Sequence, residues 1–185
     1  MSLTHQQLIA IASNDPVNAE LIRRLPELGL EQCALVAGCL FQAVWNQRSG
    51  LAPGWGIKDY DVFYFDTDLS WEAEDAVIQR AGILFKDLDA TIEFKNQARV
   101  HLWYGEHFAR PYPQLQSTRD GIDRYLIAGT CVGLELDSGE LYAPYGLDDI
   151  DQGLLRINPL NAEAELFANK ASSYQARWPW LRVVD

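Results

Sequence analysis

Apolar residues at helical spacing open the chain over residues 3–12. The pair Asp15-Pro16 that follows is typical of an N-cap and the first position of a second helix, which we expect to end near Arg24. The sequence therefore predicts a helical segment over residues 1–27, ahead of the first strand.

A short apolar run at residues 33–37 predicts a buried strand that ends at Gly38. Apolar positions over residues 40–45 follow helical spacing, and Gly50 is placed to close the helix that they predict. A strand, a glycine and a helix thus follow one another directly. The start of such a helix can meet a phosphate with its backbone N–H groups.

Two further strands are predicted in the middle of the chain. Residues 60–65 are rich in aromatic and β-branched side chains, and Ser70 can cap a helix after them. Residues 91–104 alternate between apolar and polar side chains, which predicts a long strand with one wet face. The polar face comprises Glu93, Lys95, Gln97, Arg99 and His101.

The last third mixes short helices with a hairpin. The expected elements are a loop at 110–113, a helix capped at Ser117, a strand at 130–136 that turns through 137–139 into 140–142, and helices at 147–151 and 161–176. Trp178 and Trp180 are expected to anchor the C-terminus.

We predict an α+β protein with a mixed sheet flanked by helices, forming one domain over residues 1–185 with a C-terminal helix and tail over 160–185.

Composition narrows the class of protein. Hydrophobic residues make up 48% of the chain, enough for a core, and 15 Lys+Arg against 26 Asp+Glu give a formal net charge of −11. This balance argues against a broad basic surface for nucleic acid or for a membrane. The excess of negative charge is concentrated in one segment: the residues from Lys58 to Glu93 include ten acids and three bases, a balance of −7.

Cysteine usage and hydropathy predict a cytoplasmic protein. Cys33, Cys39 and Cys131 form no CxxC pair and are expected to be buried thiols. The first thirteen residues lack the Lys or Arg of a signal peptide, and no apolar run approaches the roughly 20 residues that span a bilayer.

The candidate chemistry starts from Asp59 and Asp61, which flank Tyr60. Residues two apart on a strand share a face, with Cα atoms roughly 7 Å apart, so these carboxylates repel each other unless a cation lies between them. A hard cation such as Mg²⁺ takes oxygen ligands of this kind. The alternative is a pair of solvated acids at the start of a strand, because DxD alone is a weak signal.

Two neighbouring features favour the metal interpretation. Gly38 precedes a helix whose N-terminus suits a phosphate, and Glu93 on the next strand can bind a second metal or take the proton of an attacking hydroxyl. Lys95 and Arg99 are candidates for holding phosphates or a pyrophosphate leaving group. The alternative for these residues is a solvated strand face, on which Glu93 pairs with Lys95 or Arg99.

Two bases near the C-terminus share a spacing that permits a phosphate contact. Lys170 and Arg177 lie seven residues apart, about two helical turns, so both can point to one side. We expect this side to be a solvated face instead.

Several stretches in one order carry a resemblance to a known family. They are residues 35–46, 56–66, 93–104, 143–149 and 178–181. The chain resembles the bacterial nucleotidyltransferase-like family, formerly a domain of unknown function, of the DNA polymerase beta-type nucleotidyltransferase superfamily. The resemblance implies a polymerase beta-like fold, an NTP substrate and a Mg²⁺ (or Mn²⁺) cofactor. It assigns Gly38 to the glycine signature and Asp59 and Asp61 to the metal-binding pair.

One position departs from the superfamily signature, which is usually Gly-Ser or Gly-Gly. Cys39 follows Gly38 here, so the hydroxyl or second glycine that contacts the triphosphate is missing. No second domain for a template or a large acceptor is evident from the sequence.

Two functional hypotheses follow. The first is a Mg²⁺-dependent nucleotidyltransferase that moves an NMP group from an NTP to an unknown hydroxyl acceptor, which can be a small molecule, a protein or an RNA end. Its predicted catalytic residues are Asp59, Asp61 and Glu93, with Asp59 and Asp61 as metal ligands. Its predicted phosphate-binding residues are Gly38, Cys39, Lys95 and Arg99. The second is a catalytically silent nucleotide-binding or interaction module with the same fold.

Overall fold

A mixed sheet of five strands, flanked by eight α-helices, carries the fold in the computed structural model, which describes residues 2–108 and 112–184, the side chains of 106–108 excepted. The helices are α1 (His5–Ala12), α2 (Pro16–Arg24), α3 (Gly38–Arg48), α4 (Trp71–Leu84), α5 (Val100–Phe108), α6 (Thr118–Ile122), α7 (Asp148–Gln152) and α8 (Ala164–Arg177). The strands are β1 (Ala34–Val36), β2 (Tyr60–Tyr64), β3 (Ile92–Asn96), β4 (Gly133–Glu135), β5 (Leu141–Tyr142), β6 (Leu154–Leu155) and β7 (Arg182–Val183).

The strand order of the main sheet is β3-β2-β1-β4-β5. Within the described part of this sheet, only β2 and β3 pair in parallel, with Asp61 opposite Glu93, while β1 runs antiparallel to both β2 and β4. The strands β6 and β7 form a separate parallel pair. The expected mixed sheet flanked by helices is confirmed, and the parallel pairing of β2 and β3 places acids of both strands side by side.

Local signals fix the first half of the chain as expected. Asp15 caps α2 by accepting a hydrogen bond from the Val17 N–H at 3.1 Å, and Pro16 occupies the first helical position. The helix α4 begins after Ser70, whose hydroxyl accepts from the Ala73 N–H at 3.2 Å. The strand β1, Gly38 and helix α3 follow one another directly, as the sequence predicts.

The core is built around α3. Every residue from 38 to 46 is buried, so this helix is enclosed on all sides rather than amphipathic. The C-terminal segment closes one side of it: the Trp178 indole N–H donates to the Asn46 side-chain oxygen at 2.9 Å, and its ring packs edge-on against Trp45. The expected role of Trp178 as an anchor of the C-terminus is confirmed, and this anchoring holds α8 beside α3.

The prediction of a long strand over residues 91–104 is wrong beyond Asn96, where the strand ends. The Asn96 side-chain oxygen accepts from the Ala98 N–H at 3.1 Å and starts a short 3-10 turn, Gln97–Arg99, which continues into α5. Alternation over a few residues fits either structure, and the side-chain cap decides for the helix. Leu102, expected on the apolar face of the strand, is 49% exposed.

Smaller departures occur in the last third. The strand expected over 130–136 shortens to β4, because Ala128–Thr130 forms a 3-10 turn, while the hairpin of β4 and β5 is confirmed. The helix expected from residue 161 begins only at Ala164, because a 3-10 turn capped by Asn158 precedes it. The loop expected at 110–113 lies partly outside the described residues.

The organisation as a single domain over 1–185 stays a prediction. No helix in residues 2–108 and 112–184 combines the length and the apolar character needed to cross a membrane.

The three thiols offer a test of the packing. Burial raises the pKa of Cys33 and of Cys131 to about 12, and that of Cys39 well above its usual value. Because the thiolate is the reactive form, we expect no reaction with Ellman's reagent at pH 8 in the folded protein and three equivalents of thiol after unfolding. Rapid reaction of a thiol under native conditions would contradict this arrangement.

Candidate active site

A cavity of about 370 Å³ lies between the start of α3, the strands β2 and β3, and the helix α8. Its wall includes Gly38, Asp59, Asp61, Lys95 and Lys170. The volume falls within the usual range for small-molecule sites. The structure therefore gathers four of the residues singled out for the site from the sequence, together with one that was assigned to a solvated face.

The start of α3 is shaped by an unusual backbone conformation. Ala37 has φ 57° and ψ −123°, in the region that side chains other than glycine rarely adopt. Its N–H donates to the Val132 carbonyl at 3.0 Å, and its own carbonyl accepts from the N–H groups of Leu40 and Phe41. The surrounding structure thus holds a strained turn at the wall of the cavity, as is common at functional sites.

The carboxylates of β2 and β3 share one ammonium group. Lys95 Nζ lies 3.0 Å from Asp61 Oδ1 and 2.8 Å from Glu93 Oε2. This follows from the parallel register, which sets Asp61 beside Glu93 and places Lys95 two residues further on the same face. Asp59 lies one residue before β2 and lines the same cavity. Two carboxylates therefore share the Lys95 ammonium, and a third, that of Asp59, lies at the same cavity.

The electrostatics reflect this imbalance. Burial raises the pKa of Asp61, and repulsion from Asp59 and Glu93 adds to the rise, whereas Lys95 opposes it. Burial by itself lowers the pKa of Lys95, but the two carboxylates that it contacts bring it above its ordinary value. Asp61 thus lies in a surrounding that favours additional positive charge.

The donor set fits a hard divalent cation. Within residues 2–108 and 112–184, no three His, Cys, Asp or Glu side chains are grouped as ligands of one metal ion. Mg²⁺ usually needs only one or two protein carboxylates, because waters and substrate phosphates supply its other ligands. Asp59 and Asp61 provide two carboxylates at one cavity, and Asp61 already holds a cation, the Lys95 ammonium.

A buried hydroxyl without a protein partner lies in the same wall. The Tyr125 side-chain oxygen makes no hydrogen bond to any described residue, and its ring lies 6.0 Å from that of Phe63. Burial raises the pKa of Tyr125 far above its usual value, and Asp61 contributes to the rise. Buried polar groups are normally satisfied, so this hydroxyl is a candidate contact for a bound molecule. No signal in the sequence pointed to it.

Lys170 lines the cavity and is also exposed to solvent. It lies on α8, its Nζ is 5.4 Å from the Tyr174 ring centroid, and no described carboxylate is within 4 Å of it. Desolvation lowers the pKa of Lys170, although Asp59 and Asp61 pull in the other direction. Helical spacing could have revealed this, because Lys170 lies three residues after the buried Phe167 and four before the buried Tyr174.

Arg177, the other base on α8, braces the start of α3. Its guanidinium donates to the Gln42 side-chain oxygen at 3.1 Å and to the Gly56 carbonyl at 2.6 Å. A Cβ at Gly38 would lie 2.6 Å from the Gln42 amide nitrogen, so only glycine fits this approach without movement of Gln42. Arg177 therefore acts on the cavity through Gln42.

Three residues expected in the site lie outside the cavity wall. The Cys39 side chain is fully buried and its Sγ is 3.4 Å from the Val36 carbonyl oxygen. Glu93 reaches the site only through Lys95. Arg99 forms a buried ion pair with Glu74 and donates to the Leu69 carbonyl at 3.0 Å, so a phosphate-binding role does not fit its position. For Arg99, the physical reason is that the chain leaves the sheet after Asn96.

Comparison with known proteins decides the family. A family model described as nucleotidyltransferase matches residues 23–183. The chain belongs to the nucleotidyltransferase family. A structure determined by NMR, described as revealing a CCA-adding enzyme head domain, is similar to this chain with a TM-score of 0.77 and 28% sequence identity. The similarity covers 98% of this chain and 96% of that one. No curated protein matches the chain.

Family and fold together support nucleotidyl transfer in general for this nucleotidyltransferase. The resemblance inferred from the sequence is therefore confirmed at the level of the family. The individual roles of the site residues stay predictions.

The position of Arg99 in this nucleotidyltransferase leads to a stability prediction. Arg99→Met leaves Glu74 buried and uncompensated, so we expect the free energy of unfolding to fall by about 3–5 kcal/mol in urea denaturation. Adding Glu74→Gln should recover part of this loss, since the amide keeps an oxygen for the Asn96 N–H.

Arg23→Met is the matched control for Arg99→Met. It removes an exposed ion pair with Glu20, and its effect on stability should be far smaller. If Arg99→Met instead kept full stability and weakened nucleotide binding, Arg99 would belong to the phosphate-binding site after all.

Proposed function

We propose that this chain transfers an NMP group from an NTP to a hydroxyl-bearing acceptor in the cavity, with a divalent cation as cofactor. The observation that carries the proposal is that Asp59 and Asp61 line one cavity with the glycine start of α3. Membership of the nucleotidyltransferase family supports the reaction class. The mixed-sheet fold, similar to a CCA-adding enzyme head domain, supports the same class.

The reaction moves the α-phosphorus from one oxygen to another. The acceptor hydroxyl oxygen forms a bond to the α-phosphorus, the bond from that phosphorus to the bridging oxygen of the β-phosphate breaks, and pyrophosphate leaves. The hydroxyl proton passes to a nearby base. Charge builds on the phosphate oxygens, so the protein's task is to position these groups and to stabilise the charge.

The proposed roles follow from the cavity wall. Asp59 and Asp61 would hold the cation, which when bound neutralises phosphate charge and orients the attacking oxygen. Gly38 lets the polyphosphate approach the N-terminus of α3, where the N–H groups of Gly38 and Cys39 have no acceptor within the helix. Cys39 takes part through its backbone alone, since its thiol is buried.

Two of the bases that line the cavity have different proposed tasks. Lys170, which has no described carboxylate within 4 Å, is suited to hold the phosphates of the NTP. Lys95 balances Asp61 and Glu93, and Glu93 positions it. Glu93 therefore enters the proposal through Lys95 rather than as a third metal ligand.

Removal of the two aspartates tests the site. We expect Asp59→Asn plus Asp61→Asn to reduce transfer of label from α-labelled NTPs at least about 100-fold, because the carboxylates that would hold the cation are lost. The measurement follows incorporation into cell extract or into the protein itself, with Mg²⁺ or Mn²⁺ present.

The matched control for this pair is Glu72→Gln plus Asp89→Asn. Both residues are exposed and lie in the same acid-rich segment, so the change in net charge is identical. Full activity of the Asp59 and Asp61 variant would overturn the metal assignment. Tight calorimetric binding of Mg-NTP without any transfer by the wild type would instead support a silent nucleotide-binding module.

Lys170 gives a separate test on binding. We expect Lys170→Met to weaken NTP affinity about tenfold, because a hydrogen bond to a charged group contributes about 1.5–3 kcal/mol and Lys170 is partly open to solvent. Isothermal titration calorimetry measures the change. Lys86→Met, which removes an exposed lysine outside the cavity wall, should leave the affinity as in the wild type.

A further inference from the structure

We propose that Lys95 is an internal counter-cation that occupies the carboxylate of Asp61 and that a divalent cation must displace when it binds. The inference rests on the proposed function, because it concerns the same carboxylates. It assigns Lys95 a role other than simple phosphate binding: it sets how tightly the site holds a metal before the nucleotide arrives.

Lys95 contacts a carboxylate that is proposed to hold the metal. Its ammonium lies 3.0 Å from Asp61 Oδ1 and 2.8 Å from Glu93 Oε2, so it already occupies one of the two carboxylates proposed to hold the metal. A divalent ion and an ammonium at the same carboxylate repel each other strongly at such short range. Full engagement of Asp61 by a metal therefore requires Lys95 to withdraw.

The structure provides a place for the withdrawn ammonium. Glu93 is held by Lys95 and is half-exposed, so it can keep the ammonium after Asp61 is released. Lys95 also lines the cavity in which the polyphosphate would lie. The ammonium thus exchanges one anionic partner for another, and the sheet edge keeps its compensating charge throughout.

The charge balance explains why such a lysine is needed. Asp61 and Glu93 lie opposite each other on paired strands, and like charges in directly opposed positions destabilise a sheet. Without metal, Lys95 is the cation seen in contact with both. The same contact that stabilises the metal-free sheet therefore competes with the metal.

The affinity for Mn²⁺ alone, measured by calorimetry on the full chain without nucleotide, tests the inference. We expect Lys95→Met to bind Mn²⁺ about tenfold more tightly than the wild type, because the competing ammonium is gone. Lys95→Arg retains the charge and should stay within about threefold of the wild type. An unchanged or weaker affinity in Lys95→Met overturns the inference.

A matched variant separates direct competition from a general field effect. Lys170→Met removes an ammonium from the wall of the same cavity, but Lys170 does not contact a described carboxylate within 4 Å. Direct competition predicts a much smaller gain in Mn²⁺ affinity for Lys170→Met than for Lys95→Met. Equal gains in the two variants would overturn the proposed displacement.

Thermal stability gives a second readout that does not depend on activity. In metal-free buffer Lys95→Met should melt below the wild type, since Asp61 and Glu93 lose their shared cation, and saturating Mn²⁺ should close or reverse that difference. Lys95→Gln, which keeps a hydrogen-bond donor, replaces Lys95→Met if the latter does not fold. A deficit that persists unchanged in Mn²⁺ counts against the inference.

The inference and the proposed function fail in different ways. If the wild type transfers label in an Asp59- and Asp61-dependent manner but Lys95→Met gains no Mn²⁺ affinity, only the inference is lost. If the wild type neither transfers label nor binds Mg-NTP, the proposed function is lost and the inference with it.

Discussion

The site depends on the parallel pairing of β2 with β3 at the edge of an otherwise antiparallel sheet. That register sets Asp61 directly beside Glu93, and it places Lys95 on the same face within reach of both carboxylates. Two like charges in this relation oppose the pairing, and the ammonium offsets their repulsion. The same residues therefore serve the stability of the sheet edge and define the electrostatics of the cavity.

The acid-rich segment from Lys58 to Glu93 contains a buried acid and acids at the site, besides exposed ones such as Glu72 and Asp89. Glu74 is buried, forms an ion pair with Arg99 and accepts a hydrogen bond from the Asn96 N–H. Asp61 at the cavity and Glu93 beside it, in contrast, share the single ammonium of Lys95. The negative charge of this segment is thus unevenly distributed, and part of it lies at the cavity, where it attracts a cation.

The parts of the fold that were predictable rest on local signals. The Asp15-Pro16 cap and the strand–glycine–helix order around Gly38 depend on neighbouring residues, and the sequence alone showed them. The end of β3 was missed, because alternation also fits the first turn of α5 and only the Asn96 cap separates the two. Helical spacing places Lys170 near the side of α8 that carries Phe167 and Tyr174, but nothing local shows that this side borders the cavity. That placement depends on contacts distant in sequence, such as the one between Trp178 and Asn46.

Cys39 stands where the superfamily signature usually has Ser or Gly. The position of its side chain decides whether this departure affects the cavity. The Cys39 side chain is fully buried, and it points to the Val36 carbonyl on the preceding strand. Burial keeps its pKa well above the usual value, so it stays a neutral thiol. Its contacts therefore belong to the core beneath α3. The cavity meets this part of the chain through Ala37 and Gly38, whose backbone is fixed by the strained turn at Ala37 and by the hydrogen bond from Ala37 to Val132. A phosphate at this position would contact backbone amides, which do not depend on the identity of the side chain at 39.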